Sequence, residues 1–140
     1  MIVFFDASAV VKWFVEEEAS AEVDRVRRAA VCAVSGLTAV EVVSALARRH
    51  REGSISARTL DHLVATVGEE LESVVVVELS DNVLRRARSL LLRHPLRSGD
   101  AIQLASCVDL RDRLEQPVAF LAFDQRLNEA AVREGLRLAL

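Results

Sequence analysis

The chain has 140 residues, 51% of them hydrophobic and 28% charged, and a formal net charge of −3. That length suffices for one domain whose core needs no disulfide or structural metal, and five Gly and two Pro are too few for a disordered or low-complexity chain. The acidic balance excludes a protein that coats nucleic acid by bulk charge, though not one that acts on it at a local site.

Ile2 to Phe5 is a continuous apolar run. It predicts a buried central strand that delivers Asp6 at its carboxyl end, with Ser8 two residues on. Val10, Trp13 and Phe14 follow at helical spacing, and Glu16 to Glu18 closes that segment. Ala19 to Ala29 reads as a second helix with Arg25, Arg27 and Arg28 on its wet side. Ala30 to Val34 reads as a second buried strand. After Ser35 and Gly36 comes a helix with Ala39, Val42, Val43 and Leu46 on its apolar stripe, terminated at Gly53. Ser54 or Ser56 caps the next helix, whose stripe runs from Leu60 to Leu71. Val74 to Leu79 is a third strand. Ser80 caps another helix, which His94-Pro95 stops. Ser98 caps the helix carrying Ala101, Leu104, Ala105 and Val108. Val118 to Phe123 is a fourth strand, with Asp124 directly after it. A short helix through Leu127, Ala130 and Ala131 ends at Gly135, and Leu136 to Leu140 forms an edge strand. Strands that alternate with helices and are apolar throughout predict a single α/β domain over residues 1–140, with a parallel sheet of four to five strands and about seven helices.

Cys32 and Cys107 stand alone, without Cys-x-x-Cys spacing, and read as reduced, buried thiols. Neither a signal-peptide start nor an apolar run of membrane-spanning length is present, so the expectation is a cytoplasmic protein without membrane contact.

Four acids mark the candidate site. Each has a structural reading. Asp6 and Asp124 can cap the helices they precede. Asp100 can answer the positive end of its helix. Glu41 can complete a capping box with Thr38. If the third helix begins at Ser35-Gly36, however, Thr38 lies inside it, and Glu41 sits in the second turn beside a buried stripe. An acid there is costly without a partner. Strand carboxyl ends and helix amino ends share one edge of a parallel sheet, so the four acids are expected to converge. Four neighbouring carboxylates need a cation to stay ionised, and hard oxygen donors select Mg²⁺ or Mn²⁺.

Four segments together resemble the PIN domain family, and within it the VapC-type toxin ribonucleases of bacterial toxin–antitoxin pairs. They are Phe5-Asp6-Ala7-Ser8-Ala9, Thr38-Ala39-Val40-Glu41, Leu96-Arg97-Ser98-Gly99-Asp100-Ala101-Ile102-Gln103-Leu104-Ala105, and Phe123-Asp124-Gln125-Arg126-Leu127 with Ala131 and Gly135 beyond. They occur in family order and cover nearly the whole chain. The resemblance implies that Asp6, Glu41, Asp100 and Asp124 form an acidic quartet for one or two Mg²⁺ or Mn²⁺ ions, with the Ser8 hydroxyl in support. Ala122 departs from the family, where many relatives carry Thr two residues before the last acid. The implied reaction is metal-dependent endonucleolytic hydrolysis of single-stranded or looped RNA. Implied partners are an RNA substrate, a cognate antitoxin and a second copy in a homodimer. From their positions, Arg48, Arg49 and Arg51 at one helix end and Arg93 and Arg97 just before Asp100 are the candidates to hold the RNA. A groove at Val10, Trp13 and Phe14 is expected to receive the antitoxin. His50, His62 and His94 are expected to be solvated.

Two other readings compete. A receiver-like or haloacid-dehalogenase-like phosphotransfer domain also places Asp after its first strand, but needs a lysine at the phosphoryl group. The sole lysine here is Lys12. A PIN-like binding module without catalysis would need a degenerate acid set, whereas all four acids are present.

Overall fold

The run Ile2–Phe5 becomes β1, the middle strand of a five-stranded all-parallel sheet, because its side chains are buried on both faces. In the computed structural model, which describes all of residues 1–140, the other strands are β2 (Val31–Ser35), β3 (Val75–Val77), β4 (Val118–Leu121) and β5 (Arg137–Leu138), in the spatial order β3-β2-β1-β4-β5. The helices are α1 (Ala7–Val10), α2 (Ser20–Ala29), α3 (Thr38–Arg51), α4 (Ala57–Leu71), α5 (Asp81–Arg93), α6 (Ser98–Leu114) and α7 (Gln125–Arg133), with a 3-10 turn at Val11–Trp13 after α1. The expected α/β fold, its parallel sheet and its seven helices are all present.

Alternation along the strands splits the core into two layers. Phe4, Ala33, Val77 and Phe120 face α5, α6 and α7. Val3, Phe5, Val34 and Leu121 face α1 to α4. Phe4 and Phe120, paired in register, stack with centroids 5.9 Å apart, and each ring buried from water contributes about 2–3 kcal/mol. From β1 the chain winds outward through β2 and β3, then returns to add β4 on the other side of β1. That reversal is the switch point of the fold, and it opens a crevice between the carboxyl ends of β1 and β4.

Several element ends differ from expectation. Arg97, not Ser98, holds the N-cap position of α6, and its side chain makes no cap bond. Ser98 is the first helical residue. The third strand is only three residues long, and Val75 and Val76 are exposed because β3 is an edge strand. Of the two candidate serines, Ser56 caps α4 by accepting the Thr59 N–H at 3.1 Å. Gly53 ends α3 at φ +82°, where the Gly53 and Ser54 N–H groups bond back to His50 and Arg49. No helix is long and apolar enough to cross a membrane.

Candidate active site

Asp6 is fixed before any ligand arrives. Its backbone N–H donates to Leu121 O at 2.9 Å, one bond beyond the β1–β4 ladder. Its Oδ2 accepts the Ser8 N–H at 3.1 Å and the Ser8 hydroxyl at 2.6 Å. Ser8 Oγ in turn accepts the Phe123 N–H at 3.1 Å. One hydroxyl therefore joins the end of β1 to the segment leading into Asp124. Ser8→Ala removes both bonds. We expect it to cost about 1–2 kcal/mol of stability and to lower catalysis about tenfold or more. Urea unfolding and initial rates measure the two effects.

Glu41 is the fourth residue of α3, inside its first turn rather than the second. The capping box does not form, because Thr38 is itself helical, fully buried and makes no cap bond. Thr38 Oγ1 instead accepts from Gln103 Nε2 at 3.2 Å, and the same amide donates to Glu41 Oε1 at 2.8 Å. Gln103 lies on α6 with none of its surface exposed, so a buried amide aims the Glu41 carboxylate across the carboxyl edge of the sheet. Gly99 makes room for it: a Cβ there would lie 3.2 Å from Glu41 Oε2. Ser35 and Ser106, 3.2 Å apart at Oγ, continue this polar seam between β2 and α6.

Asp100 is in the first turn of α6 and half-buried. Asp124 caps α7, its Oδ1 accepting the Leu127 N–H at 2.9 Å. The cap reading of Asp124 is therefore correct, but it uses one oxygen and leaves the exposed carboxylate facing the crevice. Asp6, Glu41, Asp100 and Asp124 all line one cavity of ≈ 480 Å³, together with Ser8, Arg48 and Arg97. A second cleft of ≈ 600 Å³, lined by Arg97, Asp100, Asp124, Gln125, Arg126 and Glu129, shares three of those residues. The acids thus sit where two clefts meet, and Arg48, Arg97 and Arg126 at their rims pair with no carboxylate.

The charges are poised against one another. Burial pushes the Asp6 carboxyl up from its ordinary 3.8 to about 6, despite the Ser8 hydrogen bonds, and Glu41 and Asp100 push it the same way. Asp100 is raised by its own burial and by Asp124, with Arg97 opposing. Such mutual repulsion among oxygen donors is the electrostatics that a hard cation relieves. No three of the acids, as they stand, close around one point to cage an ion. An ion here would have to be held by one or two of the carboxylates and by water rather than by a closed cage.

Other expected residues lie elsewhere. Arg93 lines neither cleft and is tied to Glu134 at 2.8 Å. His94 is not solvated. It is buried, with Nε2 2.7 Å from Glu134 Oε2. Val10 is wholly buried and Trp13 and Phe14 are half-buried against the same core layer, so they form no open groove. Arg27, expected on the wet side, pairs with Glu70 and stacks over Trp13 at 4.1 Å. Lys12 bonds Glu17 at 2.9 Å and lies over the Phe123 ring at 4.6 Å, and it does not line the acidic cavity. The phosphotransfer reading therefore lacks its lysine. Sequence reasoning gave no role to Gln103, Gly99 or Arg126. For Gln103 a signal existed, an amide on a helix otherwise buried nearly all round.

Comparison with known proteins adds three findings. The model of the PIN domain family matches residues 3–133. Two Mycobacterium tuberculosis proteins, ribonuclease VapC45 of strain CDC 1551 and ribonuclease VapC49 of strain H37Rv, are each 30% identical over 139 residues, covering 99% of this chain and 94% of their own. Two solved structures share the fold. One is a toxin–antitoxin complex from Klebsiella pneumoniae (TM-score 0.66, 17% identity, 89% of this chain and 88% of that one). The other is Mycobacterium tuberculosis VapC20, described as a sarcin-ricin loop cleaving toxin (TM-score 0.67, 19% identity, 91% and 94% covered).

Proposed function

Since the chain belongs to the PIN domain family, we propose that it is a metal-dependent endoribonuclease and the toxin of a VapBC-type toxin–antitoxin pair. The observation that carries this reading is the gathering of Asp6, Glu41, Asp100 and Asp124 in one cavity at the switch point. The 30% identical relatives named as ribonucleases over 94% of their length support the activity.

Asp6 and Asp100 would hold Mg²⁺ or Mn²⁺, with Asp124 completing the set through its free oxygen or through water. A bound ion supplies a water acidic enough to be deprotonated near neutral pH and a counter-charge for the leaving oxygen. Glu41 would serve as a further ligand or as the base that accepts a proton from that water, and the Gln103 amide orients its carboxylate for either role. Ser8 keeps the Asp6 carboxylate turned into the cavity. Arg97, with Arg48 and Arg126, holds the RNA phosphates on either side. No nucleophilic side chain takes part. The family resemblance further supports a cytoplasmic homodimer silenced by a cognate antitoxin.

Purified protein is expected to cleave single-stranded RNA in Mg²⁺, to stop in EDTA and to recover in Mn²⁺. Cleavage that persists in EDTA would overturn the metal mechanism.

A further inference from the structure

A cavity of ≈ 690 Å³, larger than the acidic one, lies against α7 and β5. Phe123, Val132, Leu138 and Leu140 form its apolar walls, and Gln125, Asn128 and Arg133 its polar ones. Gln125 and Glu129 belong both to this cavity and to the cleft that holds Asp100 and Asp124. The two spaces therefore adjoin.

Phe123 is unusual within the chain. Of six aromatic residues it alone is exposed, at 41%, while Phe4, Phe5 and Phe120 are core and Trp13 and Phe14 half-buried. Its position is nonetheless held. Its N–H is bonded to Ser8 Oγ, and the Lys12 ammonium sits over the ring. The ring thus borders an open apolar space directly beside a cleft of carboxylates and unpaired guanidinium groups. Apolar walls next to a phosphate-processing cleft match the two halves of a nucleotide. A base presents a π-face to an aromatic ring whatever its sequence, and recognition of unstacked RNA bases relies on such rings. Phe123 and Asp124 are chain neighbours, and the spaces they line share Gln125 and Glu129. A base on the ring and a phosphate at the acids therefore fall within one short stretch of the same strand. Arg126 and Arg133 supply positive charge at the two ends of that path, with the Glu129 carboxylate between them as the opposing charge.

We propose that Phe123 is the stacking platform for the nucleobase beside the cleaved phosphate, and that the cavity on α7 and β5 receives that base. This inference rests on the ribonuclease reading and names the subsite that selects where the strand is cut.

The test pairs protein variants with substrate variants. Phe123→Ala and Phe123→Leu are expected to lower kcat/KM on single-stranded RNA by roughly tenfold to hundredfold, the size of one lost base–aromatic stack. Phe123→Trp should stay near wild type. A single abasic nucleotide, walked across the cut site, should reproduce the loss in wild type at one position and add nothing further in Phe123→Ala. The melting shift on Mn²⁺ should be unchanged in all three variants, which separates the subsite from the acids. Wild-type kcat/KM in Phe123→Ala, or an abasic penalty undiminished in that variant, overturns the proposal. Normal cleavage combined with lost self-association or lost capture of an apolar peptide overturns it too, and marks the ring as a protein contact. If the wild-type chain cuts no RNA, the ribonuclease reading has failed on its own. Emission of Phe123→Trp above that of Trp13 then decides the stacking: quenching by single-stranded RNA but not by an abasic strand upholds it, and no quenching overturns it.

Discussion

Asp6→Asn is expected to abolish RNA cleavage, by at least about 10²–10³-fold, and at the same time to stabilise the metal-free protein above pH 6. Both effects come from the same carboxylate. Burial and two neighbouring acids raise its folded pKa to about 6 from an ordinary 3.8. Between those values the folded chain binds more protons than the unfolded one. The stabilising contribution is therefore complete below pH 3.8 and is lost as pH rises through 6. A shift of about two units corresponds to about 3 kcal/mol as an upper limit. Asn is nearly isosteric, still accepts from Ser8 and has no charge to bury. Its Tm should exceed that of wild type by several degrees at pH 8, and the gap should close as pH falls toward 4. Mg²⁺ or Mn²⁺ should raise the wild-type Tm and leave that of Asp6→Asn almost unmoved, because binding to the folded state alone is what stabilises. Equal cleavage by the variant would remove Asp6 from the reaction. A pH-independent Tm difference would remove the buried charge from the stability of the fold.

That conflict between stability and chemistry was legible in the sequence at some positions and hidden at others. Asp6 and Asp124 follow apolar runs whose period and composition announce buried strands, and parallel topology then puts both at one sheet edge. The caps at Ser56 and Ser80 and the stop at Gly53 are set within a few residues of chain, so local chemistry sufficed. Glu41 borders a buried stripe, an unusual place for an acid, and that mismatch marks it as a candidate even though it lies in the first turn of α3 rather than the second. What pairs with it could not be read. Gln103 meets Glu41 across 62 positions and Thr38 across 65, and nothing local records such a contact. The same holds for the arginines. Arg93 and Arg97 look alike in sequence, but the turn at His94–Leu96 places Arg93 against Glu134 and Arg97 in both clefts. Val10, Trp13 and Phe14 share helical spacing with any amphipathic surface, and only the sheet they cover tells core from groove.

Gln103→Leu is expected to separate the two roles that a buried amide can have. The side chain is fully enclosed, its Nε2 donates to Glu41 and Thr38, and its Oε1 meets no partner. An unpaired buried acceptor costs about 1–3 kcal/mol. Leu has similar volume and removes that penalty along with the two donated bonds. The half-exposed Glu41 carboxylate can turn to water instead, and the buried Thr38 hydroxyl takes the place of Gln103 Oε1 as the group without a partner, so the two penalties offset each other. The net change in stability should therefore stay within about 1 kcal/mol, visible as a urea midpoint close to wild type. Catalysis should not survive so well. Released from its anchor, Glu41 loses its aim, and groups that orient a metal-site side chain typically carry about 10–100-fold in activity or metal affinity. We expect a loss of that size in kcat, with KM for RNA little changed, since Gln103 does not reach the substrate. Gln103→Glu should be worse on both counts. It sets a second carboxylate where Glu41 Oε1 now accepts a hydrogen bond at 2.8 Å, and like charges that close cannot both stay ionised. Its residual activity should therefore need more Mg²⁺ for half-activation than wild type does. A urea midpoint that falls in step with kcat in Gln103→Leu would make the amide a packing element only. Unchanged kcat at an unchanged midpoint would show that Glu41 needs no support from α6.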